Sequence, residues 1–208
     1  MKNKATEVFN RWAQNGKDEG MKKNHFDSYM HIKNIIRKEF QNKTDIAVAD
    51  VGCGNGWATA DLLQEGFVSK AHGYDGATKM IEKAEASING PSFFKANLNK
   101  WNPGEQFDII YSMEVIYYLE SPQNFIQQCY KKWLKPNGLF ISGIDHYQEN
   151  KGSLSWPEDL NVLMQTKTVK EWKNLLVQNN FIDCKTLQVN QKKDWAGTLI
   201  FLGKKDAL

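Results

Sequence analysis

Residues 50–56 read Asp50-Val51-Gly52-Cys53-Gly54-Asn55-Gly56 and directly follow a short apolar run over residues 46–49. The apolar run predicts a buried strand, and the residues from Trp57 onward have the periodicity of a helix. Glycines between a strand and a helix allow a tight turn and let a ligand approach the backbone closely. The first amides of the helix have no intrahelical partner and can bind that ligand. The stretch therefore predicts a strand–loop–helix unit with a ligand at the carboxyl end of the strand.

Strand and helix patterns alternate from this unit onward. We predict strands over residues 46–50, 70–74, 92–95, 107–113 and 139–144, and helices over residues 57–65, 78–88, 121–134 and 168–176. A closing antiparallel pair is predicted over residues 181–189 and 195–202. Alternation of this kind favours parallel strands joined by crossover helices. The sequence thus predicts an α/β fold with a mostly parallel seven-stranded sheet, helices on both faces and an antiparallel closing strand.

Two segments lie outside the alternation. Residues 1–44 carry helical patterns with an apolar face, and residues 145–166 form an irregular insert after the fifth strand. In an open α/β sheet, ligands bind beyond the carboxyl ends of the strands. We therefore expect an N-terminal helical cover over residues 1–44 and a ligand-binding domain over residues 45–208 that contains the insert.

Charge and cysteine usage exclude several classes of function. Lysine and arginine total 27 against 24 acidic residues, a net charge of +3, and only Arg11 and Arg37 are arginines. This argues against nucleic acid as a partner, because arginine is the better residue for forked phosphate and base contacts. The three cysteines are widely separated and have no metal-ligand spacing, so we expect no metal and a reducing cytoplasm. No apolar run is long enough to span a bilayer and no signal-peptide pattern is present, so we expect no membrane partner.

Two acidic residues and one aromatic residue distinguish the glycine loop from a dinucleotide site. Trp57 stands where the pattern G-x-G-x-x-G has its last glycine. Asp50 directly precedes the loop, where it would repel a phosphate and attract an ammonium group. Asp75 lies 23 residues after Gly52 (75 − 52), a spacing that suits a carboxylate accepting the ribose hydroxyls. The combination favours a nucleoside that carries an amino acid over NAD.

With these residues the chain resembles the class I S-adenosylmethionine-dependent methyltransferases, especially the small-molecule type with a D-x-G-C-G-x-G loop. The resemblance covers residues 45–145 well and implies a Rossmann-like fold with S-adenosylmethionine as the methyl donor. It also implies the residues that bind this donor, which are Trp12, Tyr29, Asp50, Gly52, Cys53, Gly54, Gly56, Trp57, Asp75, Gly76, Met80, Asn97, Leu98, Ser112 and Met113.

In that family the glycine loop lines the methionine part of the donor and Asp75 takes the ribose hydroxyls. Met80 and the pair Asn97-Leu98 meet the adenine, while Ser112 and Met113 close over the donor near its sulfur. Many relatives have an aspartate where Asn97 stands. That departure puts the usual hydrogen bond to the adenine amino group in question.

Methyl transfer is a direct displacement at a carbon bound to a positively charged sulfur. The enzyme mainly aligns the reactants, and a base is needed only if the attacking atom carries a proton. The acceptor side is expected to be lined by the cover, the end of the fourth strand and the insert. Its candidate catalytic residues are His25, Glu114, Tyr117, Asp145 and His146. Each has a plain alternative, as a structural histidine, a polar residue at a loop start or an aromatic of the core.

The leading hypothesis is methyl transfer to N, O or S of a small-molecule metabolite. A methyltransferase that acts on RNA or protein is a second hypothesis, although the chain has no arginine-bearing basic extension. Ser112-Met113-Glu114-Val115 also differs from the Asn/Asp-Pro-Pro-aromatic motif of many base-methylating enzymes. A noncatalytic donor-binding module is a third hypothesis, which intact donor residues leave open. An NAD enzyme is disfavoured by Asp50 and Trp57. The oligomeric state is not predicted.

Overall fold

The computed structural model describes residues 2–207, so the outermost residues of the two expected segments, 1 and 208, lie outside it. Seven strands are present in these residues: β1 Ile46–Val51, β2 Val68–Asp75, β3 Ser92–Lys95, β4 Phe107–Met113, β5 Leu134–Ile144, β6 Ile182–Val189 and β7 Thr198–Lys204. The helices of the described residues are α1 Ala5–Gln14, α2 Glu19–Phe40, α3 Trp57–Leu63, α4 Thr78–Ser87, α5 Pro122–Gln128, α6 Trp156–Asp159 and α7 Val169–Val177.

The strands form one sheet in the order β3-β2-β1-β4-β5-β7-β6. Strands β1 to β5 are mutually parallel, and β7 runs antiparallel to both of its neighbours. The chain moves outward from β1 to β3 and then returns to β4, so the strand order reverses between β1 and β4. Such a switch point is where open α/β sheets bind ligands. The predicted Rossmann-like fold, with its antiparallel closing strand, is confirmed.

Helices cover both faces of the sheet and bury its apolar side chains. On one face, Ile32 and Ile36 of α2 pack with Leu62 of α3 against β1, β4 and β5. On the other face, Phe125 of α5 and Trp172 of α7 lie in a second cluster with residues of β4, β5 and β7. Burying apolar surface on both faces is what allows parallel strands to be apolar along nearly their whole length.

The largest errors in the predicted boundaries are at the starts of two strands. Strand β7 begins at Thr198 and not at residue 195, and the second error is at β5. Helix α5 ends at Gln128, a π turn over Cys129–Trp133 follows, and β5 already begins at Leu134. The turn residues 136–138, expected to precede the fifth strand, therefore lie within it. Asn137 adopts a left-handed backbone with φ of 60°, and the pairing of β4 with β5 shifts register opposite this point, between Phe107 and Ile109. The additional residues of β5 between Leu134 and Leu139 therefore form a bulge opposite β4.

Across residues 2–207, none of the helices combines the length and the apolar character needed to cross a membrane.

Candidate functional site

A cavity of about 890 Å³ opens at the carboxyl ends of β1, β2 and β4. Its floor is the glycine loop with the ends of these strands. Its roof is built from α1, the first turns of α2 and residues 156–165 of the insert. The volume lies within the range of about 300–1,000 Å³ that is usual for small-molecule sites. The cavity is therefore large enough for a nucleoside and a small second ligand.

Most of the predicted site residues meet in this cavity. Those that line it are Trp12, His25, Asp50, Gly52, Cys53, Gly54, Trp57, Asp75, Gly76, Met80, Asn97, Leu98, Met113, Glu114 and Tyr117. They come from helices α1 to α4, from the ends of β1, β2 and β4 and from the loops that follow β1 to β4, which are distant in sequence. The order of the strands and the packing of α1 and α2 bring them together.

The glycine loop is held close to the sheet by Asp75. One carboxylate oxygen of Asp75 accepts a hydrogen bond from the Gly54 amide at 3.0 Å, and the other accepts from the Ala77 amide at 2.7 Å. Gly52 has a φ of +82°, and a Cβ there would lie 2.0 Å from Val115. The loop thus requires glycine for both its backbone conformation and its packing. Each oxygen of Asp75 keeps a second lone pair with which it can accept from a ligand.

Asp50 lies below the loop with 2% of its surface exposed. The Thr59 hydroxyl donates to its carboxylate at 2.6 Å. Burial raises the pKa of Asp50 to about 7, against the lowering effect of the Thr59 hydrogen bond, and the nearby Asp75 adds to the rise. A carboxylate buried without a cation is disfavoured in its charged form. The site thus favours a positively charged ligand group beside Asp50.

The expected adenine end lies beyond Asp75. Met80 is fully buried and yet lines the cavity, as do Asn97 and Leu98. The side-chain oxygen of Asn97 accepts from the Asn99 amide at 3.1 Å, which fixes the side chain at the start of a short 3₁₀ turn over Leu98–Lys100. Asn97 therefore acts as a cap for this turn.

Glu114 lies at the opposite end of the cavity, directly after β4. Its backbone φ is 59°, an uncommon value for a residue with a side chain. The Tyr117 hydroxyl donates to one of its carboxylate oxygens at 2.9 Å. The other oxygen, Oε1, is buried and has no hydrogen-bond partner among the described residues. Burial, with Asp145 nearby, raises the pKa of Glu114 well above its usual value.

His25 and Asp145 lie beside Glu114. The distance from His25 Nδ1 to a carboxylate oxygen of Asp145 is 3.8 Å. The Thr198 hydroxyl donates to the other oxygen of Asp145 at 2.6 Å. Burial lowers the pKa of His25 and raises that of Asp145, although each group partly offsets the shift of the other. The imidazole of His25 is therefore neutral at neutral pH and faces the cavity.

Five predicted residues are not among those that line the cavity, and each has a partner elsewhere. The side chain of Tyr29 is buried in the core and donates to Asp61, and Ser112 donates to the carbonyl of Val51. Gly56 caps α3 with a φ of 82°. Both ring nitrogens of His146 are engaged, at 2.9 Å from the Ser153 carbonyl and 2.8 Å from the Thr166 hydroxyl. The fifth residue, Asp145, faces His25 as described above.

The segment expected as a cover has two parts. The C-terminal part of α2 packs on the sheet, where Ile32, Ile36 and Phe40 are buried. By contrast, α1 and the start of α2 lie over the cavity, to which they contribute Phe9 and Met21. The Asn3 amide also donates to the Asn161 carbonyl at 2.7 Å, so the N-terminal segment joins the insert. The two segments outside the strand–helix alternation together form the roof.

A buried aspartate fastens this roof to the floor. Asp18, between α1 and α2, has no exposed surface. Its carboxylate accepts from the Asn55 side chain of the glycine loop at 2.8 Å and from the Lys83 ammonium of α4 at 2.9 Å. The roof and the loop therefore share one hydrogen-bonded contact.

The sequence reasoning missed several lining residues, of which Tyr111 is the most informative. Its hydroxyl is buried and has no hydrogen-bond partner among the described residues. It lies two residues before Met113 on β4, so both side chains point to the same face of the sheet. That alternation is a signal that could have identified Tyr111. Phe9 and Tyr118, whose rings pack edge to face at 5.5 Å, carry no comparable signal because they lie far apart in sequence.

Comparison with known families connects this cavity to a reaction. The family model that matches the chain describes a methyltransferase domain and aligns with residues 49–142. This stretch of the chain is therefore similar to a methyltransferase domain. The matched residues run from the end of β1 to β5 and include the glycine loop, Asp75 and Glu114. The resemblance indicated by the sequence is thus confirmed for the core of the sheet.

The chain is also similar in sequence to known methyltransferases and in fold to solved structures. The chain is 28% identical over 102 residues to the malonyl-[acyl-carrier protein] O-methyltransferase of Halalkalibacterium halodurans, covering 46% of this chain and 37% of the relative. The putative methyltransferase of Haloferax volcanii, solved in complex with the Trm112 methyltransferase activator, has a TM-score of 0.81 at 22% identity over 95% of this chain and 97% of that one. The magnesium protoporphyrin IX methyltransferase of Synechocystis, solved with bound S-adenosylhomocysteine (SAH), has a TM-score of 0.68 at 16% identity, covering 88% and 83%.

The sequence relatives and the solved structures support different conclusions. The chain spans less than half the length of the first curated relatives it matches, and identities this low to solved structures show the fold. The domain match and the fold together confirm the prediction of a class I methyltransferase domain, for which S-adenosylmethionine is the cofactor.

Proposed function

We propose that the chain transfers a methyl group from S-adenosylmethionine to a small-molecule metabolite. The observation that carries the proposal is the single cavity, which joins the glycine loop and Asp75 at one end to His25 and Glu114 at the other. A donor site and an acceptor site must share one space for direct displacement to occur. In a direct displacement the metabolite attacks the methyl carbon and forms no covalent bond with the protein. The chain therefore has to hold the donor and the acceptor in line.

The residues of the donor end fit S-adenosylmethionine. Asp75 retains lone pairs for the ribose hydroxyls, and Asp50 favours a positively charged group such as the ammonium of the methionine part. The buried Tyr111 hydroxyl has no hydrogen-bond partner within residues 2–207 and its side chain lines the cavity, which points to a ligand that completes its hydrogen bonding. Bound S-adenosylmethionine supplies the methyl group on a positively charged sulfur.

The acceptor end provides groups that position a metabolite and can move a proton. His25 is neutral at neutral pH because burial lowers its pKa, so it can take a proton from an acceptor that arrives protonated. Tyr117 holds Glu114 in place through its hydroxyl. His146 lies outside the cavity with both nitrogens engaged, so we assign it a structural role.

The names of the curated relatives favour oxygen as the attacking atom, since the first of them is an O-methyltransferase. Nitrogen and sulfur acceptors remain part of the proposal. A macromolecular acceptor is disfavoured by the roof over the cavity, which α1 and the insert close from above. A noncatalytic donor-binding module is the alternative that the experiment must separate from an enzyme.

The test is a methyl-transfer screen over a metabolite library with methyl-labelled donor. We expect labelled product from at least one small molecule, together with release of SAH. Asp75→Asn should reduce turnover at limiting donor, while Glu120→Gln, an exposed acid at the rim of the same cavity, should not. Donor binding without labelled product from any small molecule, or product only from RNA or protein, would contradict the proposal.

A further inference from the structure

A ring nitrogen and two carboxylates converge at the acceptor end of the cavity. His25 comes from α2, Glu114 follows β4 and Asp145 follows β5. One ligand atom of each lies within 4.8 Å of the others. The distance between His25 Nδ1 and Asp145 Oδ2 is 3.8 Å. Three groups able to bind a cation thus meet at one point from three separate elements.

Each carboxylate is held through one oxygen and presents the other. The Thr198 hydroxyl donates to Asp145 Oδ1 at 2.6 Å, which leaves Oδ2 facing His25. The Tyr117 hydroxyl donates to Glu114 Oε2 at 2.9 Å, and the buried Oε1 has no hydrogen-bond partner among the described residues. Hydroxyl groups that orient carboxylates in this way are typical of the surroundings of bound metal ions.

The support of Asp145 extends further from the cavity. The hydroxyls of Ser28 and Thr198 are 2.6 Å apart, and the Asn190 side chain donates to Ser28 at 2.9 Å. Because Thr198 uses its proton on Asp145, Ser28 must donate to Thr198. The chain of hydrogen bonds therefore runs in one direction and fixes the orientation of the Asp145 carboxylate as an acceptor.

We infer that His25, Glu114 and Asp145 form a binding site for a divalent transition-metal cation at the acceptor end of the cavity. Bonds of about 2.1 Å from a cation to nitrogen and oxygen ligands place neighbouring ligand atoms roughly 3–4 Å apart. The distance of 3.8 Å between His25 and Asp145 lies in this range. A spread of up to 4.8 Å requires only a small rotation of one side chain.

The mixed ligand set indicates the class of cation. Magnesium and calcium prefer oxygen ligands, whereas imidazole together with carboxylates suits manganese, iron or zinc. Three protein ligands leave at least one coordination position free. Because His25 and Glu114 line the cavity, that position is accessible to an oxygen atom of an acceptor. The site would thus position the acceptor, which goes beyond the proposed function, and cation binding itself can be measured without any acceptor.

The experiment titrates the metal-free, full-length protein with Mn²⁺, followed by the electron paramagnetic resonance of the free ion, and repeats the titration with Zn²⁺ by calorimetry. We expect one site per chain with micromolar affinity for at least one of the two ions. Glu114→Gln and Asp145→Asn should each weaken that binding at least tenfold. Glu120→Gln serves as the matched control, because it removes an acid of the same cavity outside the three ligands.

Thermal unfolding of each variant shows whether it is folded, and Glu114→Gln replaces one carboxyl oxygen by an amide nitrogen without removing volume. Absence of saturable binding of both ions to the wild-type protein would overturn the inference. Equal affinity in the wild-type protein and in a folded Glu114→Gln variant would also overturn it. If methylammonium but neither metal ion raises the unfolding temperature of the wild-type protein, and Glu114→Gln loses this effect, the site binds an ammonium group and the inference is wrong.

Discussion

Asp75 connects the fold to the proposed donor site more directly than any other single side chain. Its two oxygens already accept from the amides of Gly54 and Ala77, and three backbone hydrogen bonds oppose the effect of burial, which raises its pKa. The same carboxylate is expected to take the ribose hydroxyls. The shape of the glycine loop and the affinity for the donor therefore depend on one residue.

We expect Asp75→Ala to weaken donor binding by tenfold or more. A hydrogen bond to a charged group is worth about 1.5–3 kcal/mol, which corresponds to roughly ten- to a hundredfold in affinity. Calorimetric titration with SAH measures this loss. Asp75→Asn keeps one acceptor oxygen and should lose less. An affinity that is unchanged in Asp75→Ala would show that this carboxylate does not contact the donor.

The pH dependence of donor binding should report on Asp50. Below about pH 7 this buried carboxyl is protonated in the free protein and cannot pair with an ammonium group. The α-amino group of the donor loses its own proton near about pH 8. We therefore expect affinity to rise as the pH increases through about 7 and to fall again above about 8. Asp50→Asn should abolish the rise at low pH; a rise that persists in this variant would assign it to another group.

At the scale of elements, the roof is the feature that turns an open sheet edge into an enclosed site. Helix α1 and the insert are joined by the backbone hydrogen bond between Asn3 and Asn161, and Asp18 fastens them to the glycine loop through Asn55. The C-terminal part of α2 belongs to the helical layer on the sheet. Within residues 1–44, α1 and the start of α2 thus lie over the cavity, and the rest of α2 packs on the sheet.

Deleting residues 1–24 should leave a folded protein with much reduced methyl transfer and faster loss of the donor. The buried residues of α2 that pack on the sheet, from Tyr29 onward, remain in this variant. The donor must be shielded from water and aligned with the acceptor, and the deletion removes Phe9, Trp12 and Met21 from the roof. Circular dichroism checks the fold, and labelled-donor turnover checks the activity. Full turnover of the truncated protein would contradict a covering role.

For the whole molecule, the sequence predicted the sheet well because its signals are local. The apolar run before the glycine loop and the helical periodicity over residues 168–176 are each read from a few neighbouring residues, and the structure has β1 and α7 at these places. The start of β5 was misplaced because a bulge at Asn137 absorbs residues that look like a turn.

The site could be predicted only in part. The donor end depends on local sequence patterns, whereas the acceptor end also depends on how a helix packs on the sheet. The donor end follows from residues at strand ends, where topology fixes their position. At the acceptor end, Glu114 and Asp145 also follow strand ends, and the sequence named them together with His25. Their meeting with His25 depends on the packing of α2 on the sheet, which no local pattern encodes. Tyr29 was expected to contact the donor, yet its side chain lies in the core.

Calorimetric titration of the unmodified protein with S-adenosylmethionine, SAH and NAD tests the central claim most directly. We expect the first two to bind at one site per chain with micromolar affinity, because Asp50, Asp75 and the glycine loop together suit a nucleoside that carries an amino acid. NAD should not bind, since its phosphates would lie beside the buried Asp50. Binding of NAD without binding of S-adenosylmethionine or SAH would contradict the account.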